Sequence, residues 1–431
     1  MASIKLKGDT SGEITISSPS VAGTNTITLP AESGTILTSN TPLPEVSSVE
    51  LAGTSSGSIT IATPAVAGTN TLTLPASTGT FATENSLGMR NLIINGDMAI
   101  DQRNVGASAT SNGSVYTVDR YEFQMSSVTN VQTYQQVTDA PAGFNKSLKI
   151  TNNSTTQATA AGVLCTPRQK IEGLNTAYLN WGTSDAQTVT VSFWVKASVT
   201  GTYPVALTNN NFSRSFVTNY TVSVANTWEY KTVTIAGDTS GTWTVDTTTG
   251  INVLFSLDTG STYQTTAGSW QAGNYRGTSS DVHFLANASA TWQITGVQFE
   301  ANTTATPFEQ LQYTTQLQLC QRYFEQSYSI GVVAGTGTQL GPVTLFTSGT
   351  TNGYMAGSRT FAVSKRTAPT IVIYSVNGTA GTVSDGNTSN YKAGAALQTG
   401  TAGFSLQNTS GSTYTPVSNL IYFHFTASAE L

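Results

Sequence analysis

Stretches in which apolar and polar residues alternate recur along most of this chain, whereas helical spacing is rare. The clearest stretches are residues 188–196, 228–235 and 251–257, and turn-forming Gly, Asn, Asp and Ser separate them. Alternation with a period of two predicts β-strands that bury one face. Because many short strands follow one another without intervening helices, we predict an all-β fold with a central jelly-roll β-sandwich over residues 89–308.

The alternating pattern resumes towards the C-terminal end of the sequence. Strand candidates lie at residues 342–346, 370–374 and 420–426. The segment is long enough for one more sandwich, so we predict a separate distal β-sandwich domain over residues 328–431.

One helical pattern lies between the two predicted sandwiches, and it predicts a short connecting helix over residues 309–327. Its apolar positions are spaced four, three and four residues apart, which is typical of the narrow seam of a coiled coil. The seam consists of Tyr313, Leu317, Cys320 and Phe324. It would pack either on its own sandwich or on two sister helices about a threefold axis.

The first 88 residues contain a tandem repeat, because residues 6–38 recur as residues 51–83. Each copy contains Ile-Thr-Ile, a Gly-Thr-Asn turn and Thr-Leu-Pro-Ala, which predicts two short alternating strands around that turn. A hairpin of this size cannot bury a core alone, so each unit needs neighbours. We predict that residues 1–88 dock onto another protein and trimerise, with three parallel chains as the neighbours. The alternative is a small independent β domain.

Composition and charge exclude several classes of protein. Only 10% of the residues are charged, against about 25% in ordinary globular proteins, while a hydrophobic content of 38% argues against disorder. The net charge is −5 and Lys and Arg form no cluster, so we predict no nucleic-acid partner. No apolar run approaches the roughly 20 residues of a membrane span, so we predict no membrane insertion.

The N-terminal residues and the two cysteines bear on where the protein acts. Residues 1–7 lack the apolar core of a signal peptide, so exposure outside a cell would require another route of release, such as lysis. Cys165 and Cys320 are far apart in the sequence and form no disulfide framework. We predict that both are buried free thiols.

The sequence offers little for catalysis, and we predict that the protein is not an enzyme. Residues 53–57 match the Gly-x-Ser-x-Gly pattern of a nucleophile elbow, but Ser55 aligns with Thr10 of the first repeat and no strand-to-helix turn surrounds it. The two histidines, His283 and His424, fall in apparent strands of different predicted domains, which disfavours a triad or a His-rich metal site. Paired carboxylates for glycoside hydrolysis are the remaining alternative.

Aromatic residues carry more information about function. Trp194, Trp228 and Trp292 lie in alternating stretches, for which we predict core packing. Other aromatic residues lie among Gly, Ser, Thr and Asn, where exposed rings can stack on the apolar CH faces of sugars. These candidate glycan contacts are Trp181, Trp270, Tyr275 and the adjacent Arg276. The alternative is that these loop aromatics plug the rim of the sandwich.

Residues 90–324 resemble the jelly-roll module found in tail fibres and other appendages of tailed phages, particularly phages of marine cyanobacteria. The resemblance rests on the opening residues 90–98 and the closing residues 292–300, 305–309 and 320–324. Strands within the module, at residues 193–197 and 227–230, are also similar to carbohydrate-binding modules. The Thr-Leu-Pro-Ala repeats look like those that precede such modules in phage fibres. Two C-terminal stretches, at residues 365–370 and 429–431, look like the distal domain of the same proteins.

The resemblance implies a trimeric fibre with its N-terminus on the virion and its C-terminus pointing outward. In related carbohydrate-binding jelly rolls a calcium ion ties the first strand to the last. Asp97 falls in the matching Asn-Gly-Asp turn, but residues 297–300 lack the usual Asp pair. Calcium at Asp97 is therefore an expectation that rests on the resemblance and on this one residue, and no other cofactor is predicted.

The favoured function is a structural component of a phage virion, a trimeric tail fibre that binds a host cell-surface glycan. It would be assembled in the host cytoplasm and exposed on the released particle, where three weak sites give useful avidity. One alternative is a head fibre, decoration protein or connecting tail protein without receptor binding. A second alternative is a polysaccharide depolymerase.

Overall fold

The fold is nearly all β, as the alternating pattern predicted. The structure, a computed structural model, describes residues 3–7, 13–17, 48–52, 58–62, 89–153, 156–346, 354–385, 391–408 and 420–431. The chain divides into two compact units, Met1–Thr80 and Phe81–Leu431. Within the described residues, strands dominate both units and the two α-helices are short.

The first unit contains two equivalent β-hairpins, one in each copy of the repeat. Strand β1 (Ser3–Lys7) pairs with β2 (Glu13–Ser17), and β3 (Ser48–Ala52) pairs with β4 (Ser58–Ala62), both antiparallel. The Ile-Thr-Ile strand of each copy therefore pairs with the strand that precedes it. The predicted hairpins around the Gly-Thr-Asn turns are outside the described residues.

The larger sheet of the second unit has eight antiparallel strands. Their order is β17-β13-β12-β15-β10-β7-β6, with β16 paired to the start of β10. The strands are β6 (Val115–Tyr116), β7 (Tyr121–Ser126), β10 (Leu164–Glu172), β12 (Gly201–Asn209), β13 (Arg214–Val222), β15 (Thr249–Phe255), β16 (Asp258–Thr259) and β17 (Trp270–Ala272).

A second sheet of six antiparallel strands completes the central sandwich. Its order is β14-β11-β18-β9-β8-β5. The strands are β5 (Ala109–Ser111), β8 (Gln132–Val137), β9 (Ser147–Asn152), β11 (Val189–Ala197), β14 (Glu229–Ile235) and β18 (Thr291–Glu300). Residues from both sheets form one hydrophobic core, in which Phe193 meets Phe255 and Tyr220 edge to face at ring distances of 5.0 Å. Trp292 is fully buried in this core, as predicted.

The distal part has its own sheet and its own core. The sheet order is β19-β26-β23-β24-β25-β21, and β20 and β22 also pair with the long strand β26. Side chains of Val383, Phe404, Phe423 and Phe425 are buried together. The strands are β19 (Phe324–Gln326), β20 (Val343–Phe346), β21 (Tyr354–Thr360), β22 (Thr370–Tyr374), β23 (Thr382–Asp385), β24 (Tyr391–Leu397), β25 (Gly403–Asn408) and β26 (Leu420–Ser428). The two cores lie within one compact unit, and the predicted domain limits inside it stay predictions.

The connecting helix is shorter than predicted. Helix α1 covers only Gly173–Thr176, and the connecting helix α2 covers Tyr313–Gln321. A turn follows, in which the Arg322 guanidinium donates to both carboxylate oxygens of Glu172 at 2.6 and 2.8 Å and the Tyr323 hydroxyl donates to the same carboxylate at 2.7 Å. These bonds draw the chain out of the helix. Among the described residues, no helix is both long and apolar enough to span a membrane.

Candidate functional site

Strand β11 presents two faces with different surroundings. Its core face carries Val191, Phe193 and Val195, which are fully buried, whereas Trp194 and Lys196 lie on the opposite face and are half-buried. This arrangement follows from the period of two along a strand. The prediction of core packing is therefore wrong for Trp194. It is also wrong for Trp228, which precedes β14 and lies outside the core.

A groove with a volume of about 510 Å³ lies on this outer face of the six-stranded sheet. On one side, Trp194 pairs across the strands with Tyr230, and their ring centroids are 5.4 Å apart. On the other side, Phe144 meets Phe308 edge to face at 5.1 Å. Tyr230 is 44% exposed. The groove is therefore bordered by aromatic rings on both sides.

The floor of the groove depends on a glycine at an irregularity in the sheet. The register between β11 and β18 shifts between Ser192 and Trp194, and Gly296 has a φ of +62°, a conformation that favours glycine. A Cβ atom at this position would lie 2.7 Å from the Phe144 ring and 3.1 Å from Trp194 Cδ1. Any larger residue would push both walls of the groove apart.

Polar and charged groups follow the aromatic groove along the same face. Lys196 Nζ donates to Asp139 Oδ2 at 2.5 Å, and Trp228 Nε1 donates to Asp139 Oδ1 at 3.2 Å. Partial burial alone would raise the pKa of the Asp139 carboxyl, but hydrogen bonds from Lys196, Trp228 and Gln293 outweigh it and hold the pKa below its usual value. The carboxylate stays ionised and remains 47% exposed.

A second cleft lies on the outer face of the eight-stranded sheet. It has a volume of about 600 Å³ and is lined by polar side chains such as Asn219, Gln264 and Thr278. Of the described residues that line it, none is aromatic or charged. It offers hydrogen bonds but no flat apolar surface, so the first groove is the better candidate for a glycan site.

Trp181 and Trp270, two of the predicted glycan contacts, come together with Trp243 at the edge of the core. The three rings meet edge to face with centroid distances of 4.7 to 5.4 Å. Each indole N–H donates to a backbone carbonyl of the protein. Trp181 is only 8% exposed, and Trp270 is half-buried. This geometry fits the alternative in which loop aromatics plug the rim of the sandwich.

Tyr275 and Arg276, the other two predicted contacts, cover the outer face of the eight-stranded sheet. Tyr275 packs against a small apolar cluster formed by Ala206, Val217 and Leu254. Arg276 is 2% exposed, and its guanidinium donates to Gln124 and Asn274. Burial, reinforced by the nearby Arg168, lowers the pKa of Arg276 to about 10. Neither residue lines the aromatic groove.

The four predicted seam residues do not share one helical stripe. Tyr313 is 47% exposed at the start of α2, Leu317 is half-buried, and Cys320 is fully buried. Phe324 belongs to β19, where it is buried beneath the guanidinium of Arg103. The placement of Phe324 on the helix is therefore wrong, because its pairing with β26 replaces the helical turn. Cys165 and Cys320 are both buried free thiols, as predicted.

The Asp97 carboxylate is engaged by neutral donors. It accepts hydrogen bonds from the Gln316 side chain at 3.0 Å and from the Ala99 backbone at 3.3 Å, and burial raises the pKa of its carboxyl. Calcium sites in proteins use six to eight oxygen ligands, several of them from carboxylates. Within the described ranges, no group of three or more His, Cys, Asp and Glu residues is arranged so that it could hold a metal ion. The surroundings of Asp97 therefore do not fit a carboxylate-rich calcium site.

Comparison with known proteins gives structural likeness alone. No protein-family model and no curated protein matches the sequence. The CBM22-1 xylan-binding domain from Paenibacillus barcinonensis Xyn10C is 10% identical, with a TM-score of 0.22, over 48% of this chain and 99% of that domain. A putative sugar binding protein from Bacteroides thetaiotaomicron is 12% identical, with a TM-score of 0.28, over 49% of this chain and 100% of the other.

A structure described as CBM4 is 17% identical, with a TM-score of 0.24, and the match covers 48% of this chain and 98% of the other. The solved structures to which this chain is similar thus include carbohydrate-binding jelly-roll domains. At such TM-scores the likeness assigns neither a family nor a function to this chain.

Proposed function

We propose that this protein binds a glycan, without cleaving it, through the aromatic groove on the outer face of the six-stranded sheet. The observation that carries the proposal is the pair of aromatic walls, Trp194 with Tyr230 and Phe144 with Phe308. Sugar rings present apolar CH faces, and these stack on aromatic rings that retain an accessible face. Aromatic side chains also give a large contact area at a low cost in conformational entropy.

The size and polarity of the groove support a sugar rather than a purely apolar ligand. A volume of about 510 Å³ is within the range of small-molecule sites, roughly 300 to 1,000 Å³. Ser192, Thr306 and Gln310 place hydroxyl and amide groups beside the rings. Such neutral groups bind sugar hydroxyls and fix the orientation of a stacked ring.

Replacing Trp194 with alanine is expected to weaken glycan binding about tenfold or more, because aromatic anchors dominate binding energy at such sites. Wild type and variant would be titrated calorimetrically against gluco-, galacto-, manno- and xylo-oligosaccharides of one to six units. Tyr230→Ala should act in the same direction. Tyr178→Ala is the matched control, because Tyr178 is 47% exposed, close to the 44% of Tyr230, but does not line the groove. Unchanged affinity in Trp194→Ala would contradict the proposal.

A depolymerase is the enzymatic alternative, and it would need a working acid–base pair. Asp258 is buried and accepts hydrogen bonds from Thr159 at 2.8 Å and from the Leu285 backbone at 2.9 Å, with His283 Nδ1 at 3.1 Å. His283 lies in a loop rather than in the predicted strand. These contacts hold the Asp258 carboxylate in place as a hydrogen-bond acceptor within the protein. Shorter chains after incubation with host polysaccharide would support the depolymerase instead.

We further propose that the protein is a trimeric fibre of a phage virion, with residues 1–88 attached to the particle. The support is the sequence resemblance together with the two equivalent hairpins, β1–β2 and β3–β4. An isolated two-stranded hairpin is marginally stable in water, and neighbouring chains would supply the missing partners. Three grooves in one fibre would also raise the avidity for a repetitive glycan surface.

Light scattering on the purified protein is expected to give three times the mass of one chain. A monomer mass would contradict the trimer. Removing residues 1–88 should lower the mass to that of a single chain if the hairpins are what joins the copies. Antibody labelling of intact particles would separate a tail fibre from a head fibre or decoration protein.

A further inference from the structure

We propose that the binding site continues beyond the groove into a second sugar subsite formed by Trp228, Asp139 and Lys196, and that its ligand is a chain of at least two uncharged sugars. This inference rests on the proposed function of the groove. It adds the minimum length and the charge class of the glycan.

The sheet geometry aligns the two subsites. Trp194 and Lys196 lie two residues apart on the same face of β11, and Trp194 is directly opposite Tyr230 of β14. Trp228 precedes Tyr230 by two residues. Because β11 and β14 are antiparallel, Lys196 and Trp228 are displaced from Trp194 and Tyr230 in the same direction along the sheet. Two residues of a strand span about 6.6 Å, which is comparable to the length of one pyranose unit in a chain. A sugar stacked in the groove would thus be followed by a neighbour at Trp228.

The second subsite combines an aromatic face with fixed hydrogen-bonding groups. Lys196 Nζ is 5.8 Å from the centre of the Trp228 ring, and both side chains donate to Asp139. The Asp139 carboxylate is 47% exposed, so it retains accepting capacity on its solvent side. A carboxylate that accepts from one hydroxyl beside an ammonium that donates to the next suits the adjacent hydroxyls of a sugar ring.

The charges on this face favour an uncharged ligand. Asp139 and Lys196 neutralise each other at a distance of 2.5 Å. Of the described residues that line the groove, none carries a charge. An acidic polysaccharide would gain no cation from the groove lining and would meet the Asp139 carboxylate, while Lys149 of β9, which shares this face, is separated from Lys196 by Gln293. Desolvating its charges without a partner would cost binding energy.

The chain length of the sugar tests the second subsite. Wild type should bind the neutral trisaccharides about tenfold more tightly than the monosaccharides. In Trp228→Ala and in Lys196→Met, this gain with length should be largely lost. Lys231→Met is the matched control, because Lys231 is also 18% exposed and also forms one ion pair, yet it lies on the face of β14 opposite to Tyr230 and so outside the second subsite. Thermal unfolding of each variant would confirm that it is folded.

The outcomes separate this inference from the proposed function. If the affinity for neutral sugars is independent of chain length, or if Trp228→Ala keeps the increase in affinity with length, there is no second subsite. The proposed glycan site in the groove would be unaffected by either result. If wild type binds oligogalacturonides more tightly than every neutral oligosaccharide, the claim that the ligand is uncharged is wrong. If no oligosaccharide binds wild type at millimolar concentration, both proposals fail.

Discussion

Replacing Arg120 with alanine is expected to lower the free energy of unfolding by about 3 to 5 kcal/mol, the range for removing one partner of a buried ion pair. Arg120 is 2% exposed, and its guanidinium pairs with the Glu430 carboxylate and donates to the Lys170 carbonyl at 2.6 Å. The same guanidinium lies 3.5 Å from the centre of the Tyr323 ring. Its removal leaves the buried Glu430 carboxylate with its second ion pair, to Arg103 at 2.9 Å.

The same substitution is expected to uncouple two parts of the second unit. Lys170 belongs to β10 of the central sandwich, whereas Glu430 follows β26 of the distal sheet, so Arg120 joins the two. All six tryptophans of the chain lie between residues 181 and 292, within the central sandwich. Tryptophan fluorescence therefore reports the central sandwich alone, while far-ultraviolet circular dichroism reports both the central sandwich and the distal sheet. In Arg120→Ala the two signals should change at different urea concentrations.

Two further variants make this prediction specific. Arg359→Ala removes an exposed arginine of β21 and is expected to change the stability by no more than about 0.5 kcal/mol. Glu430→Gln combined with Arg120→Ala should cost less than the sum of the single changes, because the two groups share one interaction. If the fluorescence and circular dichroism transitions of Arg120→Ala coincide and their midpoint equals that of wild type, the ion pair does not join the central sandwich to the distal sheet.

Strands such as β11 were predictable because one of their faces is buried in the core. In β11, Val191, Phe193 and Val195 fix which face is inside, and the same parity places Trp194 outside. The alternation in β11 thus indicates that Trp194 is on the outer face, where the groove lies. Core packing was the first expectation because tryptophan is so often buried. Long strands with regular alternation specify their own orientation, and the aromatic that breaks the apolar parity marks the exposed site.

The opposite wall of the groove could not be predicted from the sequence. Phe144 lies in the loop between β8 and β9, and Phe308 lies between β18 and α2. No local pattern brings these two positions within 5.1 Å of each other, because loop side chains are placed by tertiary packing. The same reason explains Phe324, whose helical spacing is overridden by its pairing with β26. Local periodicity is a weak constraint wherever a neighbouring strand offers hydrogen bonds.

Replacing Trp181 with alanine is expected to cost about 3 to 5 kcal/mol of stability, as for other large aromatic side chains removed from a core. The Trp181 ring contacts Trp243, Trp270 and Phe299, with centroid distances of 4.7, 5.4 and 6.5 Å. Its indole N–H also donates to the Gln187 carbonyl at 2.8 Å. Alanine would open a cavity and leave that carbonyl without its indole donor. Chemical denaturation followed by circular dichroism measures the loss, and Trp181→Phe should lose less because it keeps an aromatic ring.

Glycan binding by the same variant distinguishes the two roles that an aromatic residue can have in this sandwich. Trp181 does not line the groove, so folded Trp181→Ala should keep its affinity for neutral oligosaccharides within about twofold of wild type. Trp194→Ala should show the reverse, a large loss of affinity with a small loss of stability, because its ring is half-buried outside the core. If Trp181→Ala instead lost binding while its unfolding midpoint stayed unchanged, the glycan would contact the tryptophan cluster. The aromatic groove would then be a packing contact between β11 and the loop that carries Phe308, not the binding site.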